Sequence, residues 1–216
     1  KSKYITESVR ILCEAGFDRI ELSGGTEYYP GVERDLLAFC RNGIKFLIHN
    51  YFPPPKVPFV INLASTDDSI RRKSVRHLEK AINLSSSLGA GCFGFHAGFF
   101  FDFSTGEVGR TLSSRHLKDC NFARELFLES VSQLKEVADR LGIILYIENN
   151  VLSASNGFRF VNRPFMGLDA EEIEQITEST GCRVLVDFAH LYVSSRTLNL
   201  DFEKQVQRLA PLSDYW

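Results

Sequence analysis

Arg183-Val184-Leu185-Val186-Asp187-Phe188-Ala189-His190 is the stretch on which the reading of this sequence turns. Val184 to Val186 form an unbroken apolar run, the pattern of a parallel strand buried on both faces. The run ends in a carboxylate, with an imidazole three residues later. A desolvated carboxylate is costly unless a hydrogen bond, a cation or a metal satisfies it. The strand is therefore expected to hold a charge at its C-terminal tip.

Outward from this stretch the same unit recurs: an amphipathic helix, a glycine, a short apolar strand and a polar tip. Strands are expected at Arg19 to Leu22, Ile44 to His49, Cys92 to His96 and Ile143 to Glu148. The tips are Glu21, His49, His96, Glu148 and Asp187, each five or six residues beyond Gly16, Gly43, Gly91, Gly142 or Gly181. Helices are expected from about Lys3 to Ala15, Val32 to Arg41, Asp67 or Asp68 to Leu88, and Phe122 to Leu141. Another is capped by Asp169 with Glu172 and stopped by Gly181, and a last one carries Phe202, Val206 and Leu209. Alternating helices and strands imply right-handed crossovers and a parallel sheet, in which ligands bind at the C-terminal strand ends. An open sheet would spread the five tips along a line, whereas a barrel brings them to one spot, and tips made only of Glu, His and Asp favour the barrel. A (β/α)8 TIM barrel typically takes about 250 residues. The expectation is thus a single barrel domain over residues 1–216 that lacks its first strand and its last two, with Asp214-Tyr215-Trp216 entering the seventh.

Composition narrows the function classes. The chain has 216 residues, 44% hydrophobic and 24% charged, with a net charge of −2. That balance fits a globular domain with a sizeable core and gives no electrostatic footprint for nucleic acid. No apolar run approaches the roughly 20 residues of a membrane span, and no leader is expected ahead of the polar first helix. Five scattered cysteines, odd in number and never spaced CxxC, favour reduced thiols and a cytoplasmic setting. Gly89 to Gly94 matches GxGxxG but precedes a strand, so it is not a dinucleotide loop. Arg71, Arg72, Lys73 and Arg76 read as a solvated helix face, and His77 and His116 as an ordinary helix and loop histidine. The long segments from Phe99 to about Asn121 and from Asn149 to about Leu168 are expected to be functional loops.

Imidazole and carboxylate at strand ends are a ligand set for Zn²⁺ or Mn²⁺, and five coincident tips favour a metal over separately hydrogen-bonded rim histidines. Glu21 stays open between a substrate hydroxyl, a lysine partner and the metal. Taken together, His49 to Tyr51, Ile61-Asn62-Leu63-Ala64-Ser65, Leu88-Gly89-Ala90 with His96-Ala97-Gly98, Ile147-Glu148-Asn149 and Val186-Asp187-x-x-His190 resemble the xylose isomerase-like TIM barrels. That superfamily joins sugar isomerases and epimerases with abasic-site nucleases of the endonuclease IV type. The resemblance implies that Glu148 and Asp187 bind a divalent metal (Zn, Mn, Mg or Co). It implies that His49, His96 and His190 ligate metal too, as in nuclease-like members, or contact substrate, as in single-metal isomerases. Glu21 and Asn149 are further expected substrate contacts, and Glu148 is the candidate base. The family's remaining histidine and glutamate ligands fall beyond Trp216.

The expected activity is that of a metal-dependent sugar or sugar-phosphate isomerase or epimerase, moving a proton through an enediolate. The alternatives are an endonuclease IV-like phosphodiesterase and a non-catalytic carbohydrate-binding barrel. Duplex DNA calls for cationic loops, and Lys56, Arg110, Arg115, Arg159 and Arg163 are a thin supply. Phe99 to Phe103 suits sugar faces better. The expected partner is a small sugar or sugar phosphate, with no nucleic acid and no membrane, and a homo-oligomer is left open.

Overall fold

Alternation within five short strands sorts the chain into two faces. The computed structural model describes every residue except Lys1, Ser114 and Arg115, so the loop cation Arg115 lies outside the described residues. The elements run α1 (Ile5–Glu14), β1 (Arg19–Leu22), α2 (Val32–Arg41), β2 (Lys45–His49), α3 (Asp68–Ser87), β3 (Cys92–His96), α4 (Cys120–Leu141), β4 (Ile144–Glu148), α5 (Ala154–Gly157), α6 (Ala170–Thr180), β5 (Arg183–Leu185), α7 (Phe188–Leu198) and α8 (Phe202–Leu209). Ile20 and Leu22, Phe46 and Ile48, Phe93 and Phe95, Leu145 and Ile147, and Val184 with Val186 are all buried in one apolar core with the helices. The residues between them project the other way, and this second face carries Glu21, His49, His96, Glu148 and Asp187. The tips are thus the last members of the strands' polar rows.

The sheet is wholly parallel, in the order β1-β2-β3-β4-β5, as the alternation of helices requires. Its register sets His96 opposite Glu148 and Glu148 opposite Leu185. Tyr215 extends the sheet with a parallel bridge to Leu185 beyond β5, and its backbone carbonyl accepts from Val186 N at 3.2 Å. The hydroxyl of the same tyrosine donates to Glu21 Oε2 on β1, the strand at the other edge. A flat sheet five strands wide cannot make that contact, so the sheet curls, and the architecture is a partial (β/α)8 barrel. Among the described residues no helix is long and apolar enough to cross a membrane.

Two expectations need correction. Asp187 does not sit on the strand: β5 ends at Leu185, and Asp187 is the N-cap of α7, its Oδ1 accepting from His190 N at 2.8 Å. Sequence periodicity missed α7 because its buried positions are only Leu191, Ser194 and Ser195, two of them polar. The two long loops are also more ordered than expected. They contain a 3-10 turn (Thr105–Glu107) and α5, and they pack on a second apolar cluster of Phe101, Leu112, Leu152, Phe165 and Leu168. The five cysteines are all free, as expected.

Close approach at Gly98 joins this loop cluster to the main core. A Cβ there would lie 2.8 Å from Ala64 Cβ, 3.0 Å from Phe127 Cδ2 and 3.2 Å from Met166 Sδ. Met166 could adjust, but Ala64 Cβ is fixed to its backbone and the Phe127 ring is fully buried. Gly98→Ala is therefore expected to cost about 1–3 kcal/mol, lowering Tm by roughly 2–4 °C per kcal/mol in a chain of this size. An unchanged melting temperature would show that the loop does not seat here.

Candidate metal centre and substrate cavity

Glu148 is 2% exposed at the end of β4, and each neighbouring strand end sends a group to it. His49 Nε2, from β2, lies 2.6 Å from Oε2. His96 Nδ1, from β3, lies 3.3 Å from the same oxygen. His190 Nδ1, from the first turn of α7, lies 3.2 Å from Oε1. Asp187 Oδ2 faces His190 Nε2 at 3.7 Å, and Glu21 Oε1 faces His49 Nδ1 at 3.3 Å. The five tips and His190 therefore form one continuous cluster, running from Tyr215 through Glu21, His49 and Glu148 to Asp187.

The charge states follow from this packing. Burial alone would push Glu148 up, but hydrogen bonds with His190 and His49 and the charges around it hold the carboxyl at about 2. Burial disfavours charge on His49, yet its hydrogen bonds to Glu148 and Glu21 prevail and lift it to about 9. His190 is raised in the same way: burial opposes the charge, while Glu148 and Asp187 support it. Glu21 is lowered, chiefly by its hydrogen bond with His49. His96 moves the other way, since burial pulls it down to about 4. Its Nδ1 is buried without a hydrogen-bond partner, because the 3.3 Å approach to Glu148 lacks hydrogen-bonding geometry.

These donors fit a divalent cation. Two groups of three, His49 with His96 and Glu148, and Glu148 with Asp187 and His190, keep their ligand atoms within 4.8 Å of one another. Glu148 belongs to both. Metals take ionised carboxylates and neutral imidazoles, and the orphaned, neutral His96 supplies the second kind. Without a metal, protonated His49 provides the positive charge that the buried Glu148 needs.

Asn149 plays a different part from the expected substrate contact. Its side chain is fully buried, with Oδ1 accepting from Asp187 N at 2.8 Å and Nδ2 donating to Asp187 O at 3.0 Å. Both ends of the amide are committed to setting Asp187 in place. The backbone carbonyl of Asn149 lies 3.1 Å from His190 Nδ1. A carbonyl can only accept, so Nδ1 carries a hydrogen there, and in the neutral ring Nε2 keeps its lone pair.

Beside the cluster lies a cavity of about 730 Å³, lined by His96, His190, Tyr51, Phe99, Phe103, Phe165, Arg110 and Asn156. Edge-to-face packing of Phe99 on Phe103 and on Phe165, at 5.0 and 5.3 Å between centroids, makes its aromatic wall. Sequence reasoning missed the residues that hold this wall. Asn62 Nδ2 donates to the carbonyls of Phe99 and Phe101 at 3.1 and 3.3 Å, and Asn150 Nδ2 donates to those of Ala97 and Met166, both at 2.9 Å. A polar Asn62 within the apolar run Val60 to Ala64 was the available signal.

The sequence model of the xylose isomerase-like TIM barrel family matches residues 9–212. No curated protein matches the chain. Among solved structures, a D-tagatose 3-epimerase-like protein superposes with a TM-score of 0.69 at 18% identity, over 98% of this chain and 69% of that one. A D-psicose 3-epimerase crystallised in the presence of D-fructose gives 0.66 at 18%, over 99% and 67%. A 3-keto-D-glucoside 4-epimerase from E. coli gives 0.64 at 15%, over 99% and 73%.

The cluster's electrostatics can be tested in metal-free protein. Because the folded pKa of His49 lies above its unfolded value, the stability it contributes is present below about 6.5 and is lost as pH rises through about 9. Glu148→Gln keeps the volume but leaves protonated His49 without its counter-charge. In EDTA at pH 7 it is expected to cost about 3 kcal/mol by denaturant unfolding, with the cost shrinking or reversing by pH 10. A cost that does not change with pH would contradict the His49–Glu148 pairing.

Proposed function

This chain belongs to the xylose isomerase-like TIM barrel family, and we propose that it is a metal-dependent sugar or sugar-phosphate isomerase or epimerase. The observation that carries the reading is the convergence of two carboxylates and three imidazoles on one buried point beside an aromatic cavity. The names of the three similar structures, two sugar epimerases and one sugar epimerase-like protein, support it. Glu148 and Asp187, with His49 and His96 beside them, would hold the ion. When bound, a divalent cation polarises carbonyl and hydroxyl oxygens and favours loss of the proton on the carbon between them.

The protein's own groups supply the rest. Phe99, Phe103 and Phe165 bind the apolar faces of a sugar ring or chain and keep water out. His190 Nε2, with its lone pair free, accepts from a substrate hydroxyl. Glu148 takes and returns the carbon-bound proton, so that the substrate passes through an enediolate. Five unpaired thiols support a reducing, cytoplasmic setting. The three imidazoles around Glu148 favour one second reading, metal-dependent phosphodiester hydrolysis. Against it, Arg163, one of the few loop cations, is already paired with Asp169.

The test is solvent deuterium exchange into ketoses and ketose phosphates in the presence of Mn²⁺, Co²⁺ or Zn²⁺. Exchange at the carbon next to the carbonyl is expected. It should be abolished in Glu148→Gln and reduced roughly 10²- to 10⁴-fold in His190→Gln, the usual contribution of one acid–base group. Cleavage of abasic duplex DNA without any sugar exchange would replace this reading with the second.

A further inference from the structure

A second cavity, of about 940 Å³, lies apart from the one beside Glu148, between the α2 end of the β1 loop, the proline-rich loop after β2, and α3. Lys73, Arg76, His77 and Lys80 fall on one stripe of α3 and line it, and Lys56 faces them from the proline loop. The same helix keeps its other cations in ordinary ion pairs, Arg71 and Arg72 both with Asp68. Lys56, Lys73, Arg76 and Lys80 have no such carboxylate within ion-pair distance among the described residues. In a chain of net charge −2, four unpaired cations around one cavity are a local excess of positive charge.

The remaining wall combines three prolines with the rings of Tyr28, Tyr29 and Phe59, and carries one carboxylate, Glu33, against the four cations. Lys73 Nζ sits 4.0 Å from the centroid of the Phe59 ring, and Lys56 Nζ 5.4 Å from that of Tyr28. These contacts hold the ammonium groups near flat apolar surfaces. At the base of the stripe, His77 is 8% exposed, with Nε2 buried and without a hydrogen-bond partner. Burial, with Lys80 and Lys73 nearby, keeps its ring neutral down to about 4.

We propose that this cavity binds a ligand that combines phosphate with a flat apolar group, of the nucleotide class. The four cations match a di- or polyphosphate. Tyr28 and Phe59 offer stacking surfaces. The volume is several times what an inorganic phosphate fills, so the cations alone do not account for it. The site is separate from the Glu148 cluster, and its test does not depend on the reaction proposed there.

ADP, pyrophosphate and adenosine, titrated calorimetrically into the purified chain, separate the contributions. ADP is expected to bind at least about tenfold more tightly than either pyrophosphate or adenosine. Each lost charge-assisted bond should weaken it roughly tenfold, so Lys73→Gln/Arg76→Gln and, separately, Lys56→Gln should lower ADP affinity. Tyr28→Ala should weaken ADP but leave pyrophosphate unchanged. Lys56 lies on a loop apart from α3, so its variant decides the matter if the helix double variant does not fold. Absence of ADP binding, equal binding of pyrophosphate, or ADP affinity indifferent to these changes overturns the proposal. So does a change of oligomeric state as the only effect of the substitutions, which would make the cavity a contact between copies.

Discussion

Burial of one carboxylate organises this molecule. Glu148 stands where β4 leaves the sheet, almost out of contact with water, and an ionised carboxylate in that position must be matched by positive charge or hydrogen-bond donors. Strand β2 and the start of α7 meet that demand with the imidazoles of His49 and His190, while His96 stands beside them neutral and without a hydrogen-bond partner. Both pairing imidazoles are backed in turn by further carboxylates, His49 by Glu21 and His190 by Asp187. The resulting alternation of acid and base is held together by paired charge, and its donors fit a divalent metal ion. It is open to replacement of a proton on His49 by a metal ion.

The curl of the sheet makes the cluster possible. Parallel strands that alternate apolar residues toward the helices with polar residues away from them place each tip on the same face. Only curvature brings the outermost tips together, and the Tyr215–Glu21 contact between the two edges records that curvature. Around this centre the longer loops supply what the strands cannot. Their phenylalanines make a wall, and Asn62 and Asn150 fasten it by binding backbone carbonyls that would otherwise be buried without donors.

Much of this was legible in the sequence, for identifiable reasons. Strand tips could be read because a polar residue ending a short apolar run is conspicuous, and a glycine five or six residues upstream marks each helix stop. Gly142 and Gly181 fill that role with φ near +68° and +66°. The parts that escaped reading depend on partners distant in sequence. Asp187 looks like a strand residue until its Oδ1 is seen capping α7. Asn149 looks like a substrate contact until both ends of its amide are found on Asp187. The basic stripe of α3 read as a solvated face, and Arg72, Lys73 and Arg76 are indeed exposed; a helix pattern could not show that the proline loop after β2 lines the same cavity.

The central claim is that Glu148 and Asp187 share a divalent ion at the mouth of the sheet. The most direct measurement is an anomalous difference map from crystals of the protein equilibrated with Zn²⁺. The account predicts a peak at bonding distance, about 2.0–2.2 Å, from a carboxylate oxygen of each residue, with His49 displaced from Glu148 or itself turned to the ion. A map with no peak at Glu148, and with His49 still hydrogen-bonded to it under saturating metal, would contradict the account.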